Sequence, residues 1–217
     1  MNIEQARFNM IEQQIRPWDV LDTDVLKLLG EVKREGFVAP EHRDLAFADL
    51  EIPIGGGEAM WQPKVEARVV QELGIRPTDT VYEVGTGSGY LAALLARRAK
   101  HVTSAEIDPA LGEGARAALQ AEGVGNVTLL IGDSARAPLG EQSYDVIVLT
   151  GSTPVLPQAF TDRLNPGGRL FAVTGDAPVM KATLVRQGAR GELQTVTLFE
   201  TMLRPLQHAL QPERFRF

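Results

Sequence analysis

Gly85, Gly87 and Gly89 stand at alternate positions in the stretch VYEVGTGSGY (81–90), the first of them two residues after an acid, Glu83. Glycines accept positive φ and let a ligand lie against backbone N–H groups where a helix begins. Three ligand chemistries use turns of this kind. A triphosphate loop needs Gly, four residues and then Gly-Lys-Ser/Thr, and no such string occurs. A dinucleotide turn, G-x-G-x-x-G, fails at its last member, where Tyr90 stands. What remains is Glu83-x-Gly-x-Gly-x-Gly. A carboxylate beside a pyrophosphate is unfavourable, whereas S-adenosylmethionine carries an ammonium and a sulfonium that suit Glu83. Glu106 lies 21 residues beyond Gly85 at the end of the next apolar run, where an acid can accept from ribose hydroxyls. Asp133, in GDSA, is placed to receive an adenine amino group or to close its own turn. A glycine-rich turn alone is often only a turn, and an acid at a strand end is often only a helix cap. Three such signals on successive strand ends of one sheet point to S-adenosylmethionine, a methyl donor.

The elements that must carry these residues follow from periodicity. From Lys64 onward, apolar runs of about five residues (TVYEV, HVTSAEI, VTLLI, YDVIVLT, GRLFAVT) alternate with amphipathic helices over Lys64–Leu73, Tyr90–Arg98 and Ala110–Glu122. A short helix is expected around Gln158–Leu164. This texture predicts an α/β fold: a doubly wound, mostly parallel sheet covered on both faces. KATLVRQ and LQTVTLFE, joined by GARGE, predict a closing antiparallel pair, about seven strands in all. Upstream, Asn2 should cap a helix carrying Phe8, Ile11 and Ile15 that stops before Pro17. A second helix should follow Asp22 and end before Gly36. The segment from Phe37 to Pro63 shows no clean period, yet its apolar content argues for a packed, functional loop. The organisation expected is one structural domain, with 1–63 as N-terminal helices and a substrate-covering loop, and 64–217 as the donor-binding core.

At this point the chain resembles protein-L-isoaspartate O-methyltransferases, over about Leu28 to Gly175. VKREGFVAP looks like that family's V-P-R-x-x-F-V-P, and LAFADLEIPIG is similar to its A-Y-x-D-x-P-L-P-I-G. EVGTGSGYLAALLA matches its glycine turn, and YDVIVLTGSTPVLPQAFTDRLNPGGRLFAVTG resembles its fourth-to-fifth-strand segment. The resemblance implies that Glu83, Gly85, Thr86, Gly87, Ser88, Gly89, Tyr90, Glu106, Ile107, Asp133 and Ser134 hold the donor. It implies that the loop from Asp49 to Pro63 covers the acceptor, with Asp49, Met60, Trp61 and Gln62 as candidate pocket residues. The implied substrate is the carboxylate of an isoaspartyl residue in a damaged protein or peptide. Two positions depart from the pattern. The family's T-I-S-x-P is here AMWQP, so Ala59 and Trp61 replace two hydroxyl residues. The family's G-D-G turn is Gly132-Asp133-Ser134. Trp61 is expected either to pack the loop onto the following helix or to wall the acceptor pocket.

Composition narrows the alternatives. Lys plus Arg number 22 against 28 Asp plus Glu, a net charge of −6, so nucleic acid is not the expected partner. Arg97, Arg98 and Lys100 fall at a predicted helix end, where cations complement the helix dipole. With no cysteine, disulfides, thiolate metal sites and a thiol nucleophile are excluded. No metal is expected, because His42, His101 and His208 form no ligand-spaced pair. His101 opens a strand and reads as structural; His42 lies in the loop. No apolar run reaches the ~18 residues of a membrane span, and the start has no signal-peptide core, which predicts a soluble, cytoplasmic protein, monomer or homodimer. A carboxylate acceptor, ionised at neutral pH with a pKa of about 4, needs no general base, whereas a phenol near about 10 would. Three functions therefore stay open: an isoaspartyl O-methyltransferase, a methyltransferase for another acceptor (a small aromatic among them), or a donor-binding protein without turnover. A dehydrogenase is a distant fourth.

Overall fold

The structure, a computed structural model, describes residues 2–212. Its centre is a seven-stranded sheet built from β3 (Thr80–Val84), β4 (His101–Glu106), β5 (Val127–Ile131), β6 (Tyr144–Thr153), β7 (Leu164–Asp176), β8 (Val179–Gln187) and β9 (Leu193–Thr201). The order across the sheet is β5-β4-β3-β6-β7-β8-β9, with β5 through β7 parallel and β8 and β9 antiparallel to their neighbours. This is the doubly wound sheet that the alternating runs predict. The chain leaves β3 toward β4 and β5, then returns to the other side of β3 as β6. That reversal opens a crevice at the carboxyl ends of β3 and β6.

Successive strand residues point to opposite faces, and the core divides accordingly. Val146, Val148, Phe171 and Val173 join one apolar cluster, while Ile147, Leu149, Leu170 and Ala172 join the other. The first face is covered by α3 (Pro63–Leu73), by α4 (Tyr90–Arg98) and by N-terminal elements. Helix α5 (Pro109–Ala121) is capped by Asp108, which accepts from Ala110 N at 2.8 Å. Helix α6 (Gln158–Thr161) is a single turn. Gly74 ends α3 in the left-handed conformation, with φ 51°.

The N-terminal segment docks on its own chain. Asn2 caps α1 (Ile3–Met10), as its side chain suggests, by accepting from Gln5 N at 3.1 Å. The helical path does not stop before Pro17 as expected. It passes through a π-helical turn (Ile11–Ile15) into a 3-10 turn (Arg16–Trp18), in whose first turn proline's missing N–H leaves nothing unpaired. Met10 and Ile15 are fully buried, Gln14 donates to Phe47 O at 3.0 Å, and Trp18 meets Phe199 edge-on at 4.9 Å. Helix α2 (Thr23–Glu31) starts at the Asp22 cap and ends earlier than predicted, because Val32 turns extended and Arg34–Phe37 forms its own 3-10 turn. The aperiodic segment holds an unforeseen hairpin, β1 (Ile52–Gly55) against β2 (Glu58–Met60). Its three consecutive glycines all take positive φ, which is why the turn needs them. The Arg214–Phe217 segment, read as a docking strand or a frayed end, lies outside the described residues. Among the described residues no helix is long and apolar enough to cross a membrane.

Candidate active site

A cleft of about 850 Å³, counting its open mouth, occupies the crevice beyond β3 and β6. Its floor is the glycine turn. Gly85, Gly87 and Gly89 have φ of 89°, 54° and 86°, all in the region that favours glycine. Thr150, near the carboxyl end of β6, fixes the glycine turn through its one hydroxyl proton, shared between the Val84 and Gly85 carbonyls at 2.8 and 2.7 Å. Glu106, ending β4, reaches across: one carboxylate oxygen accepts from Gly87 N at 2.8 Å and the other from Asp108 N at 3.1 Å. Each oxygen keeps a second lone pair for a ligand hydroxyl. Ile107 and Leu111 add an apolar wall beside it.

Beneath this floor the hydroxyl of Thr86, a residue of the cleft lining, bonds the buried Ser104 at 2.6 Å, and Ser104 donates in turn to Glu83. Glu83 shares the sheet face of Val81, is fully buried, and leaves Oε1 without a partner. Burial pushes its pKa up to about 8, Ser104 pulling it back and the nearby Glu106 and Glu66 charges adding to the rise. Glu66, from α3, lines the cleft and is raised to about 7 by burial, against the opposing pull of Arg34. Acids thus surround the glycine turn from below and from the side. With Glu83 held protonated at neutral pH and Glu66 already paired with Arg34, the acid presented to a ligand beside the glycine turn is Glu106, whose free lone pairs suit ligand hydroxyls.

Another wall of the cleft is formed by the hairpin. Ala59, Met60 and Trp61 line the cleft, and the Trp61 ring packs edge-on against Phe171 at 6.2 Å. Trp61 is therefore both a packing residue and a wall. Opposite the hairpin a C-terminal strap, residues 203–209, lies along the extended end of β6. Ser152 N donates to Arg204 O at 2.8 Å, and Leu206 N donates to Ser152 O at 2.9 Å. The strap clasps the hairpin: Arg204 donates to Gly57 O, and Gln207 donates to Glu58 at 3.2 Å.

Of the residues expected to hold a donor, Gly85, Thr86, Gly87, Ser88, Glu106 and Ile107 line this cleft. Glu83 lies under it. Gly89 is used for packing, since a Cβ there would meet Ala115 at 3.2 Å and Leu119 at 3.4 Å of α5. Tyr90 is buried against Phe37 and Arg34. Asp133 is outside the lining, with its carboxylate turned to Ala135 N at 3.0 Å and His208 Nδ1 at 2.8 Å, which hold it below its ordinary pKa. Ser134 is also outside, tied to Tyr82 OH at 2.8 Å and to Ala137 O at 2.7 Å. Of the residues expected at an acceptor pocket, Met60 and Trp61 reach the cleft. Asp49 is paired with Lys64 at 2.7 Å, and Gln62 stands at the N-cap position of α3 without a side-chain capping bond; neither lines the cleft. His101 bonds Thr128 at 3.0 Å, in keeping with a structural role. Missed from the sequence were Glu66, Thr150, Gly151 and the strap. For Thr150 and Gly151 a signal existed, the carboxyl end of the strand beside β3; for Glu66 and the strap there was none.

Comparison with known proteins agrees with this geometry. The family model for protein-L-isoaspartate(D-aspartate) O-methyltransferase matches residues 5–210. A protein-L-isoaspartate O-methyltransferase of Methanoculleus marisnigri is 38% identical over 203 residues, 93% of this chain and 91% of that one. One from Rhodopseudomonas palustris is 41% identical over 169 residues, 78% of this chain and 69% of the relative. A crystal structure described as a Plasmodium falciparum protein-L-isoaspartate O-methyltransferase, in complex with S-adenosyl-L-homocysteine, superposes with a TM-score of 0.77 at 18% identity. It covers 95% of this chain and 98% of its own. That likeness shows the fold. The match over nearly the whole chain, hairpin and strap included, means that this chain belongs to the protein-L-isoaspartate(D-aspartate) O-methyltransferase family, whose members use S-adenosylmethionine.

Proposed function

We propose that this chain transfers the sulfonium methyl group of S-adenosylmethionine to the free carboxylate of isoaspartyl residues in proteins or peptides, leaving a methyl ester and S-adenosylhomocysteine. The observation that carries this reading is the extent of the family match, residues 5–210, which runs well beyond the glycine turn of the donor cradle. The donor supplies an electrophilic methyl group when bound. The residues of the chain bind and align. Glu106 accepts from ribose hydroxyls while holding the glycine turn through Gly87 N. The absence of a Cβ at Gly87, where one would lie 3.1 Å from Ile54, leaves room for the donor against the turn. Glu83, held protonated beneath the floor, can ionise against the sulfonium charge of the donor and has no such charge to meet in the thioether of the product. Methyl transfer is an in-line displacement that needs nucleophile and methyl about 3 Å apart and aligned, and an ionised carboxylate requires no base.

A second reading, a different acceptor on the same scaffold, is favoured by one observation: Ala59 and Trp61 line the cleft where the family pattern places hydroxyls. Methyl-labelled S-adenosylmethionine with an isoaspartyl peptide, beside its aspartyl twin, separates the two. Label on the isoaspartyl peptide alone is the expected result. No label on either, with donor binding intact, overturns the substrate and keeps the donor.

A further inference from the structure

We propose that Arg34 is the positioning residue that sets the acceptor wall against the donor cradle. This rests on the reading above, in which the hairpin side of the cleft takes the acceptor. Arg34 sits in the 3-10 turn after α2, 1% exposed, and does not line the cleft. Its planar fork carries five N–H donors, and they are spread over three separate parts of the site. Nε donates to Ala46 O at 2.9 Å and Nη2 to Trp61 O at 2.5 Å, so two points of the covering segment hang on one side chain. Nη1 donates to the carboxylate of Glu66, whose side chain is 3% exposed. The guanidinium also lies over the Tyr90 ring, with Cζ 4.9 Å from its centroid. Tyr90 is the first residue of α4, immediately after the glycine turn.

Through these contacts one buried cation links Trp61 and Glu66, which face the cleft from the acceptor side, to the helix that grows out of the donor cradle. A buried ion pair contributes little net stability compared with well-packed apolar groups, because desolvation offsets the attraction. What the fork supplies here is fixed geometry. It holds both carbonyls and the carboxylate at once, and a lysine, with a point charge on a flexible stem, cannot satisfy them together or stack on the ring. A displacement of the wall by a fraction of an ångström is enough to misalign an in-line displacement.

The test is R34K in a W18F background, which leaves Trp61 as the sole tryptophan. Donor affinity stays within about 3-fold of the parent by calorimetry, Trp61 emission shifts to the red, and kcat for an isoaspartyl peptide falls by about 10-fold or more. A folded R34K with parental kcat and emission overturns the proposal. So does a proportional loss of donor affinity and kcat, the pattern of a residue that only holds the fold. Should R34K fail to fold, Y90L in the same background removes the stack, and the Phe37 ring contact with it, while leaving the hydrogen bonds of the fork to Ala46, Trp61 and Glu66. A lower kcat at unchanged donor affinity then supports the proposal, and an unchanged kcat overturns it. If the parent itself leaves the peptide unmethylated, the substrate reading fails. The emission shift at unchanged donor affinity still decides the role of Arg34.

Discussion

Replacing Glu83 by glutamine should stabilise the protein, and by an amount that grows with pH. Glu83 is fully buried with one oxygen unpartnered, and its pKa is raised from 4.5 to about 8. The folded protein therefore holds a proton that the unfolded chain releases, so stability falls as pH rises through this interval. Below about pH 4.5 both states are protonated and the group contributes nothing. Above it the wild type loses ~1.4 kcal/mol per pH unit relative to a neutral isostere, levelling off beyond about pH 8 on the order of 4–5 kcal/mol. The glutamine carbonyl still accepts from Ser104, and Glu66 titrates in both proteins, so their difference reads Glu83 together with its coupling to Glu66. Urea unfolding of both proteins at pH 5, 7 and 8.5, without donor, reads the gap directly. The expected result is near-equality at pH 5 and a clear advantage for glutamine at 8.5. A gap that is constant with pH, or a wild type that is the more stable at 8.5, refutes the assignment of Glu83 as a buried acid held neutral. Under the proposed function, its place beneath the cleft lets a positively charged donor draw it into the ionised form.

Further substitutions probe the rest of the cleft. Gly87→Val forces a side chain into φ 54° and against Ile54, and should abolish detectable donor binding by calorimetry while the fold, followed by circular dichroism, persists. Glu106→Ala removes a charged acceptor and strands Gly87 N–H, which should weaken the donor about 10-fold or more, ~1.5–3 kcal/mol, in the same assay. Gly151→Ala places a Cβ 2.8 Å from the Leu206 side chain and 2.9 Å from its backbone nitrogen; it should push the strap outward and speed donor release in stopped-flow displacement. Trp61→Ser removes the contact with Phe171 and should lower unfolding free energy by about 3–5 kcal/mol in urea titration, with donor affinity changed by less than about 3-fold.

Much of the fold is legible in the amino-acid sequence, for a local reason. TVYEV, VTLLI and the helix Tyr90–Arg98 are elements whose own periodicity and flanking turns define them, and they form over the residues predicted. The hairpin β1–β2 is not legible, because strands of four and three residues are too short to show alternation and its glycines read only as a turn. The π-helical turn and the passage through Pro17 are hidden for another reason. Burial of Met10, Ile15 and Trp18 against the core overrides the local rule that a helix stops before proline.

The candidate site divides along the same line. The glycine turn, the acid that ends β4 and the neighbouring strand ends can all be read from the linear pattern, because in a doubly wound sheet the carboxyl ends of adjacent strands must converge. Which carboxylates face the ligand and which lie beneath it is a matter of three-dimensional packing. Glu83 and Glu106 look alike in sequence, yet one points into the core with Ser104 and the other across the cleft to Gly87. Likewise, nothing in a linear pattern brings Arg34 to Trp61 and Glu66, or carries Arg204 back to Gly57. Those contacts join segments with no shared periodicity, and they exist because packing the N-terminal and C-terminal segments onto the same sheet leaves a single place for the cleft between them.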